Sequence, residues 1–140
     1  MRIPRSISKP ARYVGIEAHA VVKDPRAATV RLALCFPDLY EIGMSYHGLF
    51  ARYGLANSVD WAWGERVFAP WNDMEEHMRK GGVPLATLES QTPLAAMDLV
   101  GFSLTYELNV TNVLNMLDLA GIPLRAADRT GLPLVIGGGP

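Results

Sequence analysis

The side chains with the most scope for chemistry follow a short apolar run, in the segment D-L-Y-E-I-G of residues 38–43. It supplies two carboxylates and a phenol. The D-x-x-E spacing of Asp38 and Glu41 does not fix their separation in a loop, so it predicts no acid–base pair, and Asp38 is expected to hydrogen-bond the loop backbone. A phenol has a pKa near 10 and must ionise to ligate a metal well, so Tyr40 is a poor metal ligand.

Two further segments follow apolar runs in the same way. Residues 101–105, G-F-S-L-T, close a run that begins at Asp98, and three glycines, 137–139, follow the apolar residues 132–136. In open α/β sheets, ligands bind at the edge where the carboxyl ends of parallel strands meet. We therefore predict that all three segments line one rim of a sheet and flank a crevice.

The composition is that of an ordinary soluble globular domain. The 140 residues are 49% hydrophobic and 19% charged, and a formal net charge of −1 provides no strong field for nucleic acid or membrane. No apolar run approaches the roughly 18 residues that a membrane span needs. Cys35 is the only cysteine, which excludes an internal disulfide and an iron–sulfur cluster held by this chain alone. These features predict a cytoplasmic domain.

The remaining candidate residues predict no catalytic or metal site. His19 and His77 lack a partner at metal-ligand spacing, and His47 is expected to be exposed or to face another domain rather than a ligand. A tryptophan group is more typical of a core or an interface than of a stacking platform for bases. Its members are Trp61, Trp63 and Trp71.

Apolar runs that alternate with amphipathic segments predict an α/β fold, a doubly wound and mostly parallel sheet of the flavodoxin-like or Rossmann-like type. The predicted strands are 30–36, 65–69, 83–89, 98–104 and 132–136. The first should lie centrally, beside the strand that ends at Ser103. The predicted helices run from Ser45, as N-cap, to Asn57, from Asn72, in a capping box with Glu75, to Lys80, and from near Val110 to Gly121.

Two terminal features set the predicted domain boundaries. Four basic residues and no acidic one occupy positions 1–12, which we expect to be a mobile or extended basic arm. They are Arg2, Arg5, Lys9 and Arg12. Residues 13–140 are expected to form the α/β domain. Because a glycine-rich loop after a strand normally opens a helix, and that of residues 137–139 opens none here, we expect the domain to be incomplete at its carboxyl-terminal end.

Three elements resemble the cobalamin-binding domain of methionine synthase and the carbon-skeleton mutases. Residues 38–43 resemble its D-x-H-x-x-G loop, with Tyr40 in place of the histidine that ligates cobalt. Residues 101–105 resemble its G-x-S-x-L/T segment, and residues 137–139 its double glycine, which lets the nucleotide tail pass close to the backbone. The implied cofactor-binding residues are Asp38, Tyr40, Gly43, Ser103, Leu104, Thr105, Gly137, Gly138 and Gly139. The departure at Tyr40 leaves open whether cobalamin is bound or the tyrosine merely packs the loop.

A longer resemblance covers nearly the whole chain from Arg12 onward. The segments F-P-D-L-Y-E-I-G-M-S, E-R-V-F-A-P-W, D-L-V-G-F-S-L-T-Y-E-L and V-I-G-G-G-P resemble the amino-terminal domain of large bacterial radical S-adenosylmethionine (radical SAM) proteins. In that family a cobalamin-binding-like domain precedes a barrel with a C-x-x-x-C-x-x-C motif, which this chain lacks. The iron–sulfur cluster and S-adenosylmethionine would therefore belong to the full-length protein.

The resemblance implies an accessory domain that binds cobalamin, or derives from a cobalamin binder, and presents the sheet's carboxyl edge to the barrel of the same polypeptide. The implied reaction is methyl transfer or a related radical conversion, with no catalysis by this chain alone. The alternative is a docking domain without cofactor that contacts the barrel or an RNA substrate, through the basic arm and the two apolar sides of the last helix. A flavin or nucleotide binder is less favoured because no G-x-G-x-x-G follows the first strand.

Overall fold

In the computed structural model, which describes residues 3–139, the chain folds around a four-stranded parallel sheet in the order β2-β1-β3-β4. The strands are β1 (Val30–Phe36), β2 (Ala62–Phe68), β3 (Leu99–Ser103) and β4 (Leu134–Gly138). The helices are α1 (Tyr40–Gly43), α2 (His47–Asn57), α3 (Asn72–Gly81) and α4 (Asn109–Leu119), with short 3-10 helices at Pro10–Tyr13, Leu94–Ala96 and Ala126–Asp128. The central β1 pairs with both β2 and β3, which confirms the predicted doubly wound α/β fold.

The helices divide between the two faces of the sheet. The right-handed crossover from β1 to β2 places α2 on one face, and the crossovers through α3 and α4 run the other way along the sheet and occupy the opposite face. The larger core lies under α3 and α4, where Met74, Val100 and Met116 are fully buried. The smaller core lies under α2 and is built around Leu49 and Phe36.

The predicted strand at residues 83–89 is wrong. That segment is a loop with one isolated antiparallel bridge between Ala86 and Pro93. It covers the outer edge of β2, where the N–H of Leu88 donates to the carbonyl of Arg66 at 2.9 Å. The apolar L-A-T-L pattern therefore reflects burial against an edge strand and not a ladder of its own, and every residue of β2 is buried.

Two charged side chains of β2 are buried with their charges compensated. The guanidinium of Arg66 contacts the Glu89 carboxylate at 2.6 Å and the Glu17 carboxylate at 2.9 Å. On the opposite face, Glu65 pairs with Arg31. Removal of one partner would leave an unpaired charge in the protein interior, which is strongly destabilising. The pairs therefore fix β2 to the segments that supply the partner residues.

The ends of α2 lie close to the predicted positions but have other causes. The expected loop contains the helical turn α1, so α2 begins at His47 and the hydroxyl of Ser45 donates to the carbonyl of Glu41 at 2.9 Å instead of capping α2. Asn57 ends the helix as predicted, but not in a left-handed conformation. Its side chain exchanges two hydrogen bonds with the backbone of Gly64, which fixes α2 to β2.

The predictions for the ends of α3 and α4 are also partly right and partly wrong. Asn72 lies inside α3, whose N-cap is Trp71, and no side-chain cap forms, so the predicted capping box is wrong. The backbone of Trp71 instead accepts the hydrogen bond from the N–H of Glu75. After the carboxyl ends of α3 and α4, Gly82 (φ 62°) and Gly121 (φ 69°) adopt the left-handed conformation that terminates a helix, as predicted.

The amino-terminal residues pack on the domain, contrary to the expectation of a mobile or extended arm. Ile7 joins the larger core, and the backbone N–H and hydroxyl of Ser8 both donate to Asp73 at 2.8 Å. Lys9 and Arg12 both pair with the carboxylate of Glu41, which compensates part of their charge. The prediction was wrong because it rested on the charges and did not consider that Ile7, which lies between the basic residues, is buried in the core. Arg2, which we also assigned to the arm, lies outside the described residues.

Within residues 3–139, the face that carries α2 is covered over β1 and β2 but not over β3 and β4. Residues of β3 alternate between the faces, so Val100 and Phe102 enter the core while Gly101 points to the uncovered side. On β4, Leu134 and Ile136 are 58% and 54% exposed. The sheet surface between α2 and β4 is consequently a groove with an apolar floor.

Candidate functional site

The carboxyl ends of β1, β3 and β4 meet at one rim, as predicted, since all four strands are parallel. The loops after β1 and β3 are joined by hydrogen bonds. The hydroxyl of Tyr106 donates to Asp38 at 2.9 Å, and the side-chain amides of Asn109 and Asn112 donate to the carbonyl of Pro37 at 3.3 and 2.9 Å. Asp38 thus joins the two loops, and its Oδ1 accepts a hydrogen bond from the backbone N–H of Leu39 at 2.7 Å, the contact with the loop backbone that the sequence predicted.

The open groove is the cavity between α2 and the uncovered surface of β3 and β4, with a volume of about 640 Å³. Its floor is apolar and its carboxyl end carries a hydroxyl, a guanidinium and glycine backbone. Four of the nine predicted cofactor-binding residues line it. The lining residues are Leu32, Leu34, Arg52, Leu55, Ala56, Leu99, Gly101, Phe102, Ser103, Ile136, Gly137, Gly138 and Gly139.

Ser103 and Arg52 meet across the carboxyl end of the open groove. Ser103 is the last residue of β3, and its Oγ accepts a hydrogen bond from Nη1 of Arg52 at 2.8 Å. Arg52 lies on α2, one turn after the buried Leu49 and one turn before Ala56, so it flanks the helix stripe that faces the sheet. The contact spans the space between the helix and the strand and leaves the Ser103 hydroxyl hydrogen free to donate.

The three glycines do different things. A Cβ at Gly139 would lie 1.6 Å from the carbonyl oxygen of Leu104, so the two backbones approach more closely than any side chain allows. A Cβ at Gly137 would press on the Leu104 side chain at 3.3 Å, whereas a Cβ at Gly138 would meet nothing within 4 Å. Only Gly138 therefore leaves space free at the edge of the open groove, next to its register partner Ser103.

Tyr40 lies at the same rim but its side chain does not enter the open groove. Its hydroxyl donates to the Glu17 carboxylate at 2.5 Å, and its ring packs edge-on against Phe68 with centroids 5.4 Å apart. It lines a separate cavity of about 30 Å³ beside β2, with Arg12 and Tyr13. The structure therefore brings Ser103 and the glycines together and separates them from Tyr40.

The surroundings of Tyr40 keep its phenol neutral. Burial and the hydrogen bond to Glu17 raise the pKa of Tyr40 to about 12. Burial opposes ionisation of Glu17 as well, but hydrogen bonds from Tyr40 and Arg66 leave the pKa of that carboxyl below its ordinary value. A neutral phenol that already donates to a carboxylate is a structural hydrogen-bond donor and a poor metal ligand.

The other predicted residues of the rim have structural contacts. A Cβ at Gly43 would lie 2.1 Å from the Phe68 ring, so this glycine lets α1 pack on β2. The N–H of Leu104 donates to the carbonyl of Gly138 at 2.9 Å. The hydroxyl of Thr105 donates to Oδ1 of Asn109 at 2.8 Å, which fixes the turn into α4. None of the three lines the open groove.

Two classes of site are absent from the part of the chain that the structure describes. Within residues 3–139, no group of three or more His, Cys, Asp or Glu residues is arranged to hold a metal ion. Over the same residues, no helix has both the length and the apolar character to cross a membrane. Cys35 is fully buried, and burial raises the pKa of its thiol far above the ordinary value, which makes it inert.

Sequence reasoning missed Arg52. The helix periodicity was available: positions three before and four after it carry Leu49 and Ala56, which placed Arg52 beside the sheet-facing stripe. What the sequence did not show is that the neighbouring sheet surface is uncovered, so that an arginine at this position reaches the end of β3.

Comparison with known proteins gives the chain a family. No curated protein and no solved structure matched it. The family model described as "Radical SAM proteins, N-terminal" matches residues 48–140, which is more than half of the chain and includes all of α2 but its first residue, together with β3, β4 and the whole glycine segment. The chain therefore belongs to the family of amino-terminal domains of radical SAM proteins.

Proposed function

We propose that this accessory domain binds cobalamin for the radical SAM protein, with the nucleotide tail of the cofactor in the open groove. The observation that carries the proposal is the coincidence of the predicted Ser103 and glycine segments in one uncovered cavity at the carboxyl rim. A binding site at this edge is what a doubly wound parallel sheet offers. Bound cobalamin would supply a cobalt centre for methyl-transfer chemistry to the radical SAM part of the polypeptide.

The lining of the open groove fits the chemistry of that tail, which consists of an aromatic base, a ribose and a phosphodiester. The floor around Leu99 and Ile136 is apolar and suits the base. At the carboxyl end, Ser103 has a hydroxyl hydrogen free to donate, and Arg52 adds a cation. Gly138 leaves its position open to the backbone, so a ligand could approach it closely.

Tyr40 does not fit the part of a cobalt ligand. Its phenol is engaged with Glu17 and packs on Phe68, and its raised pKa disfavours the phenolate that ligation would need. The proposal therefore assigns no cobalt ligand to Tyr40. Ser103, Arg52 and Gly138 would hold the nucleotide tail in the open groove, and cobalt would take no ligand from this tyrosine.

The proposal is tested by gel filtration of the chain after incubation with hydroxocobalamin. We expect the wild-type chain to retain the visible corrinoid absorption. Gly138→Val should lose it, because the new side chain has free space in the ligand-free fold and occupies the open groove. Gly54→Ala is the matched control, since its added Cβ also meets nothing within 4 Å but does not line the open groove. Colourless wild-type protein would reject the proposal.

A second candidate function is docking on the radical SAM barrel without any cofactor. It is favoured by the outer side of α4, where Val110 and Leu114 are exposed one turn apart, next to the exposed Leu108. Helices rarely expose such a stripe without a neighbour, as the sequence also predicted. If the domain is purely a docking module, wild-type chain should stay colourless while Val110→Asp, in the full-length protein, weakens its association with the barrel. An RNA partner is not proposed, because Lys9 and Arg12 pair with Glu41.

A further inference from the structure

We infer that Arg52 is the specificity-determining residue of the open groove and binds an anionic phosphodiester there. The inference rests on the proposed function and deepens it, since it names the charged part of the ligand that the site recognises. None of the residues predicted from the sequence supplies a positive charge to the open groove. Arg52, which the sequence did not single out, supplies the only one among its lining residues.

The charge of Arg52 is uncompensated by other groups of the described chain. Arg12, Arg31 and Arg66 each pair with a carboxylate. Among residues 3–139, no Asp or Glu pairs with Arg52, which donates to a neutral hydroxyl instead, and no acidic residue lines the open groove. A cation without a carboxylate beside an apolar cavity favours an anionic ligand with an apolar body.

The geometry places three ligand-binding elements side by side. Arg52 reaches from α2, Ser103 ends β3, and Gly138 is the register partner of Ser103 on β4. One guanidinium N–H contacts Ser103, and the planar fork of arginine has further N–H groups that can donate to phosphate oxygens. The Ser103 oxygen accepts from Arg52, so its own hydrogen can donate to the same phosphate. The existing contact therefore holds both donors in position before a ligand arrives.

The test compares cobalamin with cobinamide, which has the corrin ring but lacks the ribose phosphodiester and the base. Equilibrium dialysis of the chain against each corrinoid is repeated for wild type and Arg52→Gln, at low and high salt. Arg125→Gln is the control, because Arg125 is also exposed but lies outside the open groove. Circular dichroism checks that all variants fold.

We expect Arg52→Gln to weaken cobalamin binding roughly tenfold or more, as loss of a charge-assisted hydrogen bond does. Its cobinamide affinity should equal that of wild type, and the salt dependence of cobalamin binding should decrease. Equal cobalamin affinity in wild type and Arg52→Gln, or an equal loss for both corrinoids, would overturn the role of Arg52 while leaving the proposed function standing. Failure of both corrinoids to bind wild type would overturn the proposed function and this inference together.

Discussion

Ile136→Thr tests the floor of the open groove with little risk to the fold. The Ile136 side chain is 54% exposed in the ligand-free domain, so its replacement removes little packing. Threonine is also β-branched and keeps the strand preference of β4. The substitution should therefore change ligand binding much more than stability.

The magnitude follows from the area that a ligand would cover. Full burial of an isoleucine side chain contributes about 1.5–3 kcal/mol, so covering the exposed half of Ile136 contributes about 0.8–1.6 kcal/mol. Loss of that contribution corresponds to a roughly fourfold to fifteenfold weaker affinity for cobalamin. Spectrophotometric titration with hydroxocobalamin measures it, and urea denaturation should give an unfolding free energy within about 0.5 kcal/mol of wild type.

Val110→Thr provides the matched control, because Val110 is also 54% exposed but lies on the outer side of α4. It should leave the affinity for cobalamin unchanged. Our reasoning would be refuted if Ile136→Thr bound cobalamin as tightly as wild type, or if Val110→Thr lost as much affinity. The second result would place the apolar contact on α4 instead of in the open groove.

Three further predictions concern the framework of the site. The phenol of Tyr40 should ionise near pH 12, measured as the absorbance difference between wild type and Tyr40→Phe. Because the pKa of Tyr40 is raised in the folded state, the stability that this tyrosine contributes is complete below pH 10 and is lost as the pH rises towards 12. An ionisation midpoint at pH 10 would contradict the prediction. Lys23→Met removes an ammonium that donates to three backbone carbonyls at 2.7, 2.8 and 3.2 Å. It should lower the free energy of unfolding by about 2 kcal/mol in urea titrations. A loss below roughly 0.5 kcal/mol would show that water satisfies these carbonyls when the ammonium is absent. Gly54→Ala, in the exposed interior of α2, should raise the free energy of unfolding by roughly 0.5–1 kcal/mol, and a lowered denaturation midpoint would be inconsistent with the free space at that position.

The fold was predictable because its main signals are local. The run of β1, apolar apart from Arg31, and the three-and-four spacing of α2 and α4 identify strands and helices without long-range information. The misassigned segment at residues 83–89 shows the limit. An apolar stretch that covers an edge strand has the same composition as a strand. The two differ in their hydrogen bonds, since residues 83–89 form one isolated bridge and contact β2 through the bond from Leu88 to the carbonyl of Arg66.

The candidate site was predictable at its rim and not in its interior. The parallel order fixes Ser103 and Gly138 as neighbours, and both were identified from strand-end patterns. The direction of the Tyr40 side chain was not available from the sequence, because it depends on Glu17 from a segment without regular structure. Arg52 was missed for a related reason: its significance depends on a sheet face that is open in the described residues.

The most direct test of the account is the electron paramagnetic resonance spectrum of cob(II)alamin bound to this chain. We predict a bound form without the nitrogen splitting that the cofactor's own base produces when it ligates cobalt, since the base would lie in the open groove and Tyr40 supplies no nitrogen. A bound form that retains this splitting would contradict the placement of the tail between Ser103 and Gly138.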